Sequence, residues 1–241
     1  MTSTPRSPTT LRFYFEDPNL LVVEKPAGLL SQGEHTGDTN LVDELRAYLG
    51  RHYVGLVHRL DRNTSGIMVV AKRTKAASRL TAALQKGTLT RTYLAWVHGT
   101  IGVPGRWVHE LMKDEATNTV RVVRAPCAGS KNAALAYIPV GHGTFRGAPL
   151  TLLELHLETG RSHQIRVQAS AAHHPLLGDT KYETPLEPHI AAISREFGRP
   201  ALHSSRITFP HPIGGAPHTF ESPLPPDMRG IELRSRAEPV R

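Results

Sequence analysis

Apolar and polar positions alternate along many short stretches of the chain, and this period of two predicts β-strands. Leu11, Phe13 and Phe15 show the alternation near the start. A short continuous apolar run, such as residues 67–71, predicts a strand that is buried on both faces. The predicted strands are residues 11–15, 20–25, 67–71, 90–97, 119–123, 151–157 and 202–209.

Other stretches are predicted to be helices. Leu41, Val42, Leu45 and Leu49 share one helical face, and Gly50 is well placed to end that helix. The predicted helices are residues 40–49, 74–86, 163–172 and 188–197, with Thr74 and Ser162 expected as caps. Strands outnumber helices and occur in groups, so we expect an α+β fold with a mixed, mainly antiparallel sheet and flanking helices.

The chain of 241 residues is long enough for one sizeable core, and we expect a single folded domain over residues 11–228. Residues 1–10 are rich in Ser, Thr and Pro and are expected to be disordered. Residues 229–241 are expected to form a loosely held tail. Residues 104–149 contain several glycines and prolines, and only the strand at 119–123 is assigned within them.

Composition adds a preference for a polyanionic partner. The net charge is +8 and the sequence pI is about 9.9. Such a basic surplus is typical of proteins that bind nucleic acid or anionic surfaces. No apolar run approaches the roughly 20 residues that a membrane span needs, so no membrane association is expected. Cys127 is the only cysteine, which excludes an internal disulfide and favours a cytoplasmic location.

One carboxylate stands among cations in the polar segment 58–66. Asp61 is flanked by His58, Arg59 and Arg62, and neighbouring positive charges favour the ionised form of a carboxyl group. An ionised carboxylate suits a nucleophile or an electrostatic stabiliser better than a general acid. The alternative is a surface turn with a local Arg–Asp ion pair.

Two further segments carry candidate chemistry. His163 and Arg166 are three residues apart and would share one face of a helix whose N-terminus attracts an anion. A capped helix with a solvated polar face is the alternative. Tyr93 lies in a predicted strand, where a tyrosine is usually a core residue but also offers a ring that stacks on an unpaired base.

Neither a metal nor a cofactor is expected. The 14 histidines include no H-E-x-x-H pair or similar ligand spacing. The chain contains neither a Walker-type phosphate loop nor a G-x-G-x-x-G segment, so no nucleotide cofactor is indicated.

Taken together and in this order, the segments resemble the RluA family of RNA pseudouridine synthases. The stretch HRLDRNTSG at residues 58–66 is similar to the catalytic loop of that family and is the most specific part of the match. The other matching segments are residues 16–28, 91–95, 160–166, 178–182, 202–203, 209–212 and 223–228. The resemblance implies the catalytic fold of that family over residues 11–228.

The resemblance also implies a reaction, the isomerisation of specific uridines to pseudouridine in structured RNA. Asp61 would be the catalytic carboxylate, which either attacks C1′ of the ribose or removes a proton from C2′. Arg166 would pair with Asp61, Tyr93 would stack on the uracil, and Arg59 would fill the gap left by the flipped base.

Further expectations concern the partner. Lys25, His58 and Arg62 are expected to make phosphate or loop contacts, and His163 is expected to contact RNA. The RNA would be tRNA or rRNA, and the protein is expected to be a monomer. Only about ten residues precede the first predicted strand, so the S4-type RNA-binding domain that many relatives carry there is not expected.

Two other functions compete with this hypothesis. A non-catalytic RNA-binding protein on the same fold would need the basic surface but not Asp61. A cofactor-independent glycoside or nucleoside hydrolase would need a second carboxylate, for which Glu110 and Asp179 are the distant candidates.

Overall fold

β-Strands account for most of the regular structure, as the period-two pattern predicts. The computed structural model describes residues 11–33, 37–50, 52–182 and 186–233. Its strands are β1 Arg12–Glu16, β2 Leu20–Lys25, β3 Gly55–Leu56, β4 Ser65–Ala71, β5 Thr90–His98, β6 Gly105–Asp114, β7 Thr119–Val123, β8 Lys131–Phe145, β9 Ala148–Leu157, β10 Leu202–Pro210, β11 Pro217–Glu221 and β12 Glu232–Leu233. Its helices are α1 Leu41–Leu49, α2 Thr74–Gln85, α3 Gln164–Ala171, α4 Pro188–Glu196 and α5 Pro226–Arg229.

The strands form one sheet in the order β1-β2-β4-β10-β5-β9-β8-β6-β7, with β11 added to β10, β12 to β8 and β3 to β4. Within the described residues, β4 and β10 are the only parallel neighbours, and every other paired strand is antiparallel. The expectation of an α+β fold with a mixed, mainly antiparallel sheet is therefore confirmed.

Alternate side chains of the central strands face two separate cores. On β4, Met68 and Val70 belong to the core that also buries α1 and α3, whereas Ile67 and Val69 belong to the core that buries α2. This division follows from the period of two, because successive side chains of a strand point to opposite faces. The loop before β4 packs against the first of these cores through the buried side chain of Leu60.

The close contact between β4 and β10 explains why residue 66 is a glycine. Gly66 has φ of +124°, and a Cβ atom there would lie 2.3 Å from the backbone oxygen of Ser204. A glycine is needed at this position because β10 approaches so closely. Gly50, in contrast, ends α1 as predicted, and it does so in the left-handed conformation.

Some predicted details were wrong. Thr74 is the first residue of α2 rather than its cap, and Arg73 at the cap position makes no side-chain capping bond. Helix α3 begins at Gln164, and His163 precedes it with φ of +50°, so Ser162 does not cap it. The Gln164 side chain itself accepts a hydrogen bond from the backbone N–H of Arg161 at 2.9 Å.

Residues 104–149 contain the longest strands, although sequence patterning assigned little there. The bulge between Pro139 and Gly141 interrupts the alternation along β8. Beyond residue 229, β12 pairs with Gly143 and Thr144, so the start of the predicted tail is attached to the sheet. Residues 1–10 and 234–241 lie outside the described residues. No helix within the described ranges is long and apolar enough to cross a membrane.

Candidate active site

Asp61 lies in the loop between β3 and β4, and its side chain is 30% exposed. Leu60 before it is buried in the core, which fixes one side of the loop. The backbone N–H of Thr64 donates to the carbonyl of Asp61 at 3.0 Å and closes a turn. The carboxylate is thus carried on a short turn with its preceding residue anchored.

The loop after β2 holds the backbone on both sides of Asp61. Ser31 Oγ donates to the Leu60 carbonyl at 2.6 Å and accepts from the Leu60 N–H at 3.0 Å. On the other side, the N–H of Gly28 donates to the Arg62 carbonyl at 2.8 Å. These bonds restrict both residues that flank the carboxylate.

Lys25 completes this support. Its Nζ donates to the carbonyls of Pro26 at 2.9 Å, Leu29 at 2.7 Å and Arg62 at 3.0 Å, and the residue is fully buried. Burial lowers the pKa of Lys25 to about 7, against the opposing effect of the Asp61 charge. Lys25 therefore joins two loops from inside the protein.

The far end of the loop is fixed by β10 and its neighbours. Arg199 Nη1 donates to the carbonyl of Asn63 at 3.4 Å, while Nε and Nη2 of the same side chain bind Asp227 at 2.7 and 3.0 Å. Ser65 Oγ lies 2.9 Å from Nδ1 of the buried His203. The loop is therefore hydrogen-bonded to other segments at Leu60, Arg62, Asn63 and Ser65.

Helix α3 brings the partners of the carboxylate. Arg166 Nη1 lies 3.5 Å from Asp61 Oδ2, and His163 Nε2 lies 4.0 Å from Asp61 Oδ1. His163 does not share the helical face with Arg166 as predicted, because it stands in a left-handed conformation just before the helix. That conformation still aims its ring at Asp61.

Asp179 holds Arg166 in place. Its Oδ2 accepts from Arg166 Nε at 2.6 Å, its Oδ1 accepts from Nη2 at 2.7 Å, and the side chain is 1% exposed. Burial opposes the charge of Arg166, but the hydrogen bonds to Asp179 and the charge of Asp61 outweigh it and raise the Arg166 pKa. Asp179 is thus engaged by the arginine and is not a free second acid.

Tyr93 on β5 forms the inner wall of the site. It is 4% exposed, belongs to the core that contains Leu60, and lines a small cavity of about 70 Å³ together with Asp61 and Arg166. Burial raises the pKa of Tyr93, and the nearby Asp61 charge adds to the increase, while Arg91 opposes it. The phenol is therefore neutral near pH 7.

A larger cleft of about 1220 Å³ shares Asp61, Arg59 and Arg166 with this cavity. The basic side chains along it are Arg59, Arg62, Arg91, Lys113, Arg161, Arg166 and Lys181. Three of them are paired with acids, Arg62 with Asp38, Lys113 with Glu115, and Arg166 with Asp61 and Asp179. Arg59, Arg91, Arg161 and Lys181 form no ion pair with an acid in the described ranges.

The structure brings together Asp61, Arg59, Tyr93, Arg166 and His163, all of which line the small cavity. Arg59 is exposed at its mouth.

Lys25 and His58 do not fit the predicted role of direct RNA contacts. Lys25 is fully buried and bonded to carbonyls, and His58 is 6% exposed. Burial and the Arg91 charge lower the His58 pKa to about 3, so its imidazole is neutral. The charge of Lys25 and the polar neighbours of His58 suggested that both side chains lie on the surface, but both are buried.

Sequence reasoning assigned no supporting role to Asp179, Tyr182 or Ser31. Residues 178–182 belonged to the resemblance, but the ion pair joins Arg166 on α3 to Asp179 in the following loop, 13 residues away. Glu110, the other candidate acid, is hydrogen-bonded to Ser130 and Asn132 and does not line either cavity. Within the described residues, no group of three or more His, Cys, Asp or Glu side chains is arranged to hold a metal ion.

Comparison with known proteins agrees with this geometry. The family described as RNA pseudouridylate synthase matches residues 19–171. The ribosomal large subunit pseudouridine synthase D of Vibrio cholerae is 35% identical over 95% of this chain and 72% of its own length, and that of Yersinia pestis is 38% identical over 92% and 69%. An uncharacterised RNA pseudouridine synthase of Bacillus subtilis, YlyB, is 37% identical over 92% of this chain and 71% of its own length.

The fold has a close match among solved structures. Human RNA pseudouridylate synthase domain containing 1 superposes with a TM-score of 0.78 at 24% identity, covering 99% of this chain and 94% of that chain. The chain belongs to the RNA pseudouridine synthase family, in its RluA branch. It is an isomerase that converts uridine in RNA to pseudouridine.

Proposed function

We propose that this protein modifies specific uridines of the large-subunit ribosomal RNA, with Asp61 as the catalytic carboxylate. The observation that carries the catalytic part is the position of Asp61, where the small cavity meets the basic cleft, with Arg166 3.5 Å from its Oδ2. The RNA target is supported by the names of the relatives from Vibrio cholerae and Yersinia pestis, which are ribosomal large subunit pseudouridine synthases.

The reaction needs one carboxylate and no co-substrate. The N-glycosidic bond between C1′ and N1 of uridine breaks, the uracil turns, and C5 forms the new bond to C1′. C5 then loses its proton and N1 gains one, so the product is an isomer of the substrate. Asp61 serves either as the nucleophile at C1′ or as the base at C2′, and both roles require an ionised carboxylate. Arg166 orients Asp61, because its Nη1 lies 3.5 Å from Asp61 Oδ2.

The target base must leave the RNA stack to reach Asp61. We infer that the uracil enters the small cavity and lies against the ring of Tyr93. Arg59, exposed at the mouth, fills the space that the base leaves. His163 is 11% exposed and turned toward Asp61, so its role is within the site rather than on the RNA backbone.

The unpaired cations of the cleft suit RNA phosphates. Among the described residues, the side chains of Arg161 and Lys181 donate only to the backbone carbonyls of Asn132 and Asn118, so their charges are available to an anion. Arg59 and Arg91 line the same cleft. Each phosphate contact releases a condensed counterion, so binding through these side chains weakens as salt is added.

We propose a monomer in the cytoplasm as the working form. The open basic cleft suits a large RNA substrate, and a ribosomal target is compatible with the cytoplasm. Sedimentation of the purified protein with and without RNA tests the monomer directly.

Purified protein assayed on transcribed fragments of large-subunit ribosomal RNA and on tRNA tests the target. Pseudouridine at one or a few positions of the ribosomal fragments, with none in tRNA, is expected. Activity on tRNA alone would reject the ribosomal target and leave the isomerase in place. The Asp61→Asn protein should bind both RNAs as before and form no product, whereas unchanged turnover would reject Asp61.

A further inference from the structure

We propose that Tyr182 is a positioning residue that fixes the tautomer of His163, so that the Nε2–H of the imidazole faces Asp61. This inference deepens the proposed function and rests on Asp61 as the catalytic group. Tyr182 follows α3 and Asp179 along the chain, and its hydroxyl and its ring contact different parts of the site.

The hydroxyl group of Tyr182 makes two hydrogen bonds. The backbone N–H of Val120 on β7 donates to the phenol oxygen at 3.0 Å. His163 Nδ1 lies 2.5 Å from the same oxygen. A backbone amide can only donate, so the phenol oxygen is the acceptor from Val120 and its own proton is free for another partner.

The hydroxyl proton of Tyr182 is donated to His163. In the described part of the chain, His163 Nδ1 is the only acceptor within hydrogen-bonding distance of the Tyr182 hydroxyl. With Nδ1 accepting, a neutral imidazole carries its proton on Nε2. The opposite tautomer would turn an unprotonated Nε2 toward the carboxylate oxygen of Asp61, which lies 4.0 Å away, and two lone-pair groups would face each other.

The neutral state of His163 follows from its surroundings. Burial lowers its pKa, and the charges of Arg166 and Lys181 lower it further, while Asp61 and Asp179 oppose the change. These groups come from α3, from the loop before β4 and from the loop after α3. The imidazole is therefore a neutral donor near pH 7 rather than a cation.

The ring of Tyr182 completes the arrangement. The guanidinium carbon of Arg166 lies 5.0 Å from its centroid, and the ring of His163 meets it edge-on at 5.5 Å. One tyrosine thus contacts both partners of the Asp61 carboxylate, Arg166 beside Oδ2 and His163 beside Oδ1. The bond to Val120 also connects Tyr182 to β7, which pairs with β6 in an antiparallel hairpin.

Tyr182→Phe separates these roles, because it keeps the ring and removes only the hydroxyl group. Nitrogen-15 NMR of the histidine side chains in the full-length protein reports which ring nitrogen carries the proton, and His163→Gln identifies the signals of His163. The wild-type spectrum should show Nε2 protonated and Nδ1 unprotonated. In Tyr182→Phe the population should shift toward the Nδ1–H tautomer, since that nitrogen has lost its donor.

Single-turnover kinetics on a substrate RNA supply the second measurement. Tyr182→Phe should lower the rate about tenfold, the effect of one lost hydrogen bond, with RNA affinity unchanged. Tyr48→Phe is the matched control, because Tyr48 is 54% exposed and its hydroxyl donates to Glu16 rather than to any residue of the site.

A wild-type protein with Nδ1 protonated would overturn the proposal before any variant is made. A tautomer that stays the same in Tyr182→Phe, or a tautomer that changes while the rate does not, would also overturn it. The wild-type tautomer is measured without substrate, so it stands apart from the role of Asp61. Turnover by Asp61→Asn would reject the proposed function without changing that result.

Discussion

Arg166 binds Asp179 through Nε and Nη2 and turns Nη1 toward Asp61. The arginine is thus shared between a structural carboxylate, which is 1% exposed, and the proposed catalytic one. The strong bidentate bonds to Asp179 define the plane of the guanidinium group. Asp61 receives the remaining donor at a longer distance of 3.5 Å, which leaves room for the carboxylate to engage a substrate.

Arg166→Met should remove activity and lower the free energy of unfolding by about 3 kcal/mol, because it leaves the buried charge of Asp179 without its cation. Asp179→Leu should cost a similar amount for the converse reason. The double variant should regain much of the lost stability but none of the activity. Denaturant unfolding and single-turnover kinetics of all three proteins measure both effects. Additive losses of stability would contradict the shared ion pair.

Lys25→Met tests the support of the catalytic loop. The unfolded chain holds the Lys25 proton up to its ordinary pKa of 10.5, whereas the folded protein releases it near pH 7. The unfolded state therefore binds more protons between these values, and the free energy of unfolding contributed by Lys25 rises with pH across that window. Unfolding measured from pH 7 to 10 should show this rise in wild type and less of it in Lys25→Met.

Lys75→Met is the control for Lys25, because Lys75 is exposed on α2. Its unfolding should follow the wild-type pH dependence. Lys25→Met should also lower activity, since the carbonyl of Arg62, next to Asp61, loses a donor. An identical pH dependence in wild type and Lys25→Met would contradict the assignment of the shifted pKa.

Gly66→Ala should destabilise the protein by at least about 2 kcal/mol, because the new methyl group meets the backbone of Ser204 and the residue has a positive φ. Gly50→Ala is the control. Gly50 also has a positive φ, but nothing lies within 4 Å of the added atom, so only about 1 kcal/mol is expected. Equal losses of unfolding free energy in the two variants would show that β10 does not constrain Gly66.

The unpaired cations give a prediction for RNA binding. Arg161→Gln and Lys181→Gln should each weaken binding and reduce the slope of log K against log salt concentration by about 1. Arg206→Gln should leave the slope unchanged, because Arg206 pairs with Glu221 and does not line the cleft. Filter binding across a range of salt concentrations measures the slope for the three variants and for wild type. Equal slopes in all four proteins would show that the RNA does not contact Arg161 or Lys181.

The sequence allowed the fold class, several element bounds and the central residues to be predicted, because these depend on local patterns. The bounds of β2 and β7 were predicted to the residue, β2 from its apolar run and β7 from its strand pattern. The resemblance to the RluA family predicted which residues surround Asp61. The local sequence pattern alone was also compatible with a surface turn that holds an Arg–Asp ion pair.

What could not be predicted depends on contacts between distant segments. Ser31 and Leu60 are 29 residues apart, and Ser65 and His203 are 138 apart. The inward turn that buries Lys25 and His58 reverses the position expected from their charge and polarity. The role proposed for Tyr182 depends on Val120 and His163, which are 62 and 19 residues away and meet at its hydroxyl group.

The measurement that tests the central claim most directly is a map of pseudouridine in ribosomal RNA from cells that lack this gene. The cells are supplied with wild type, Asp61→Asn or Asp43→Asn, the last being a control with an exposed carboxylate on α1. Wild type and Asp43→Asn should restore one or a few sites that Asp61→Asn leaves unmodified. Restoration of those sites by Asp61→Asn would contradict the account.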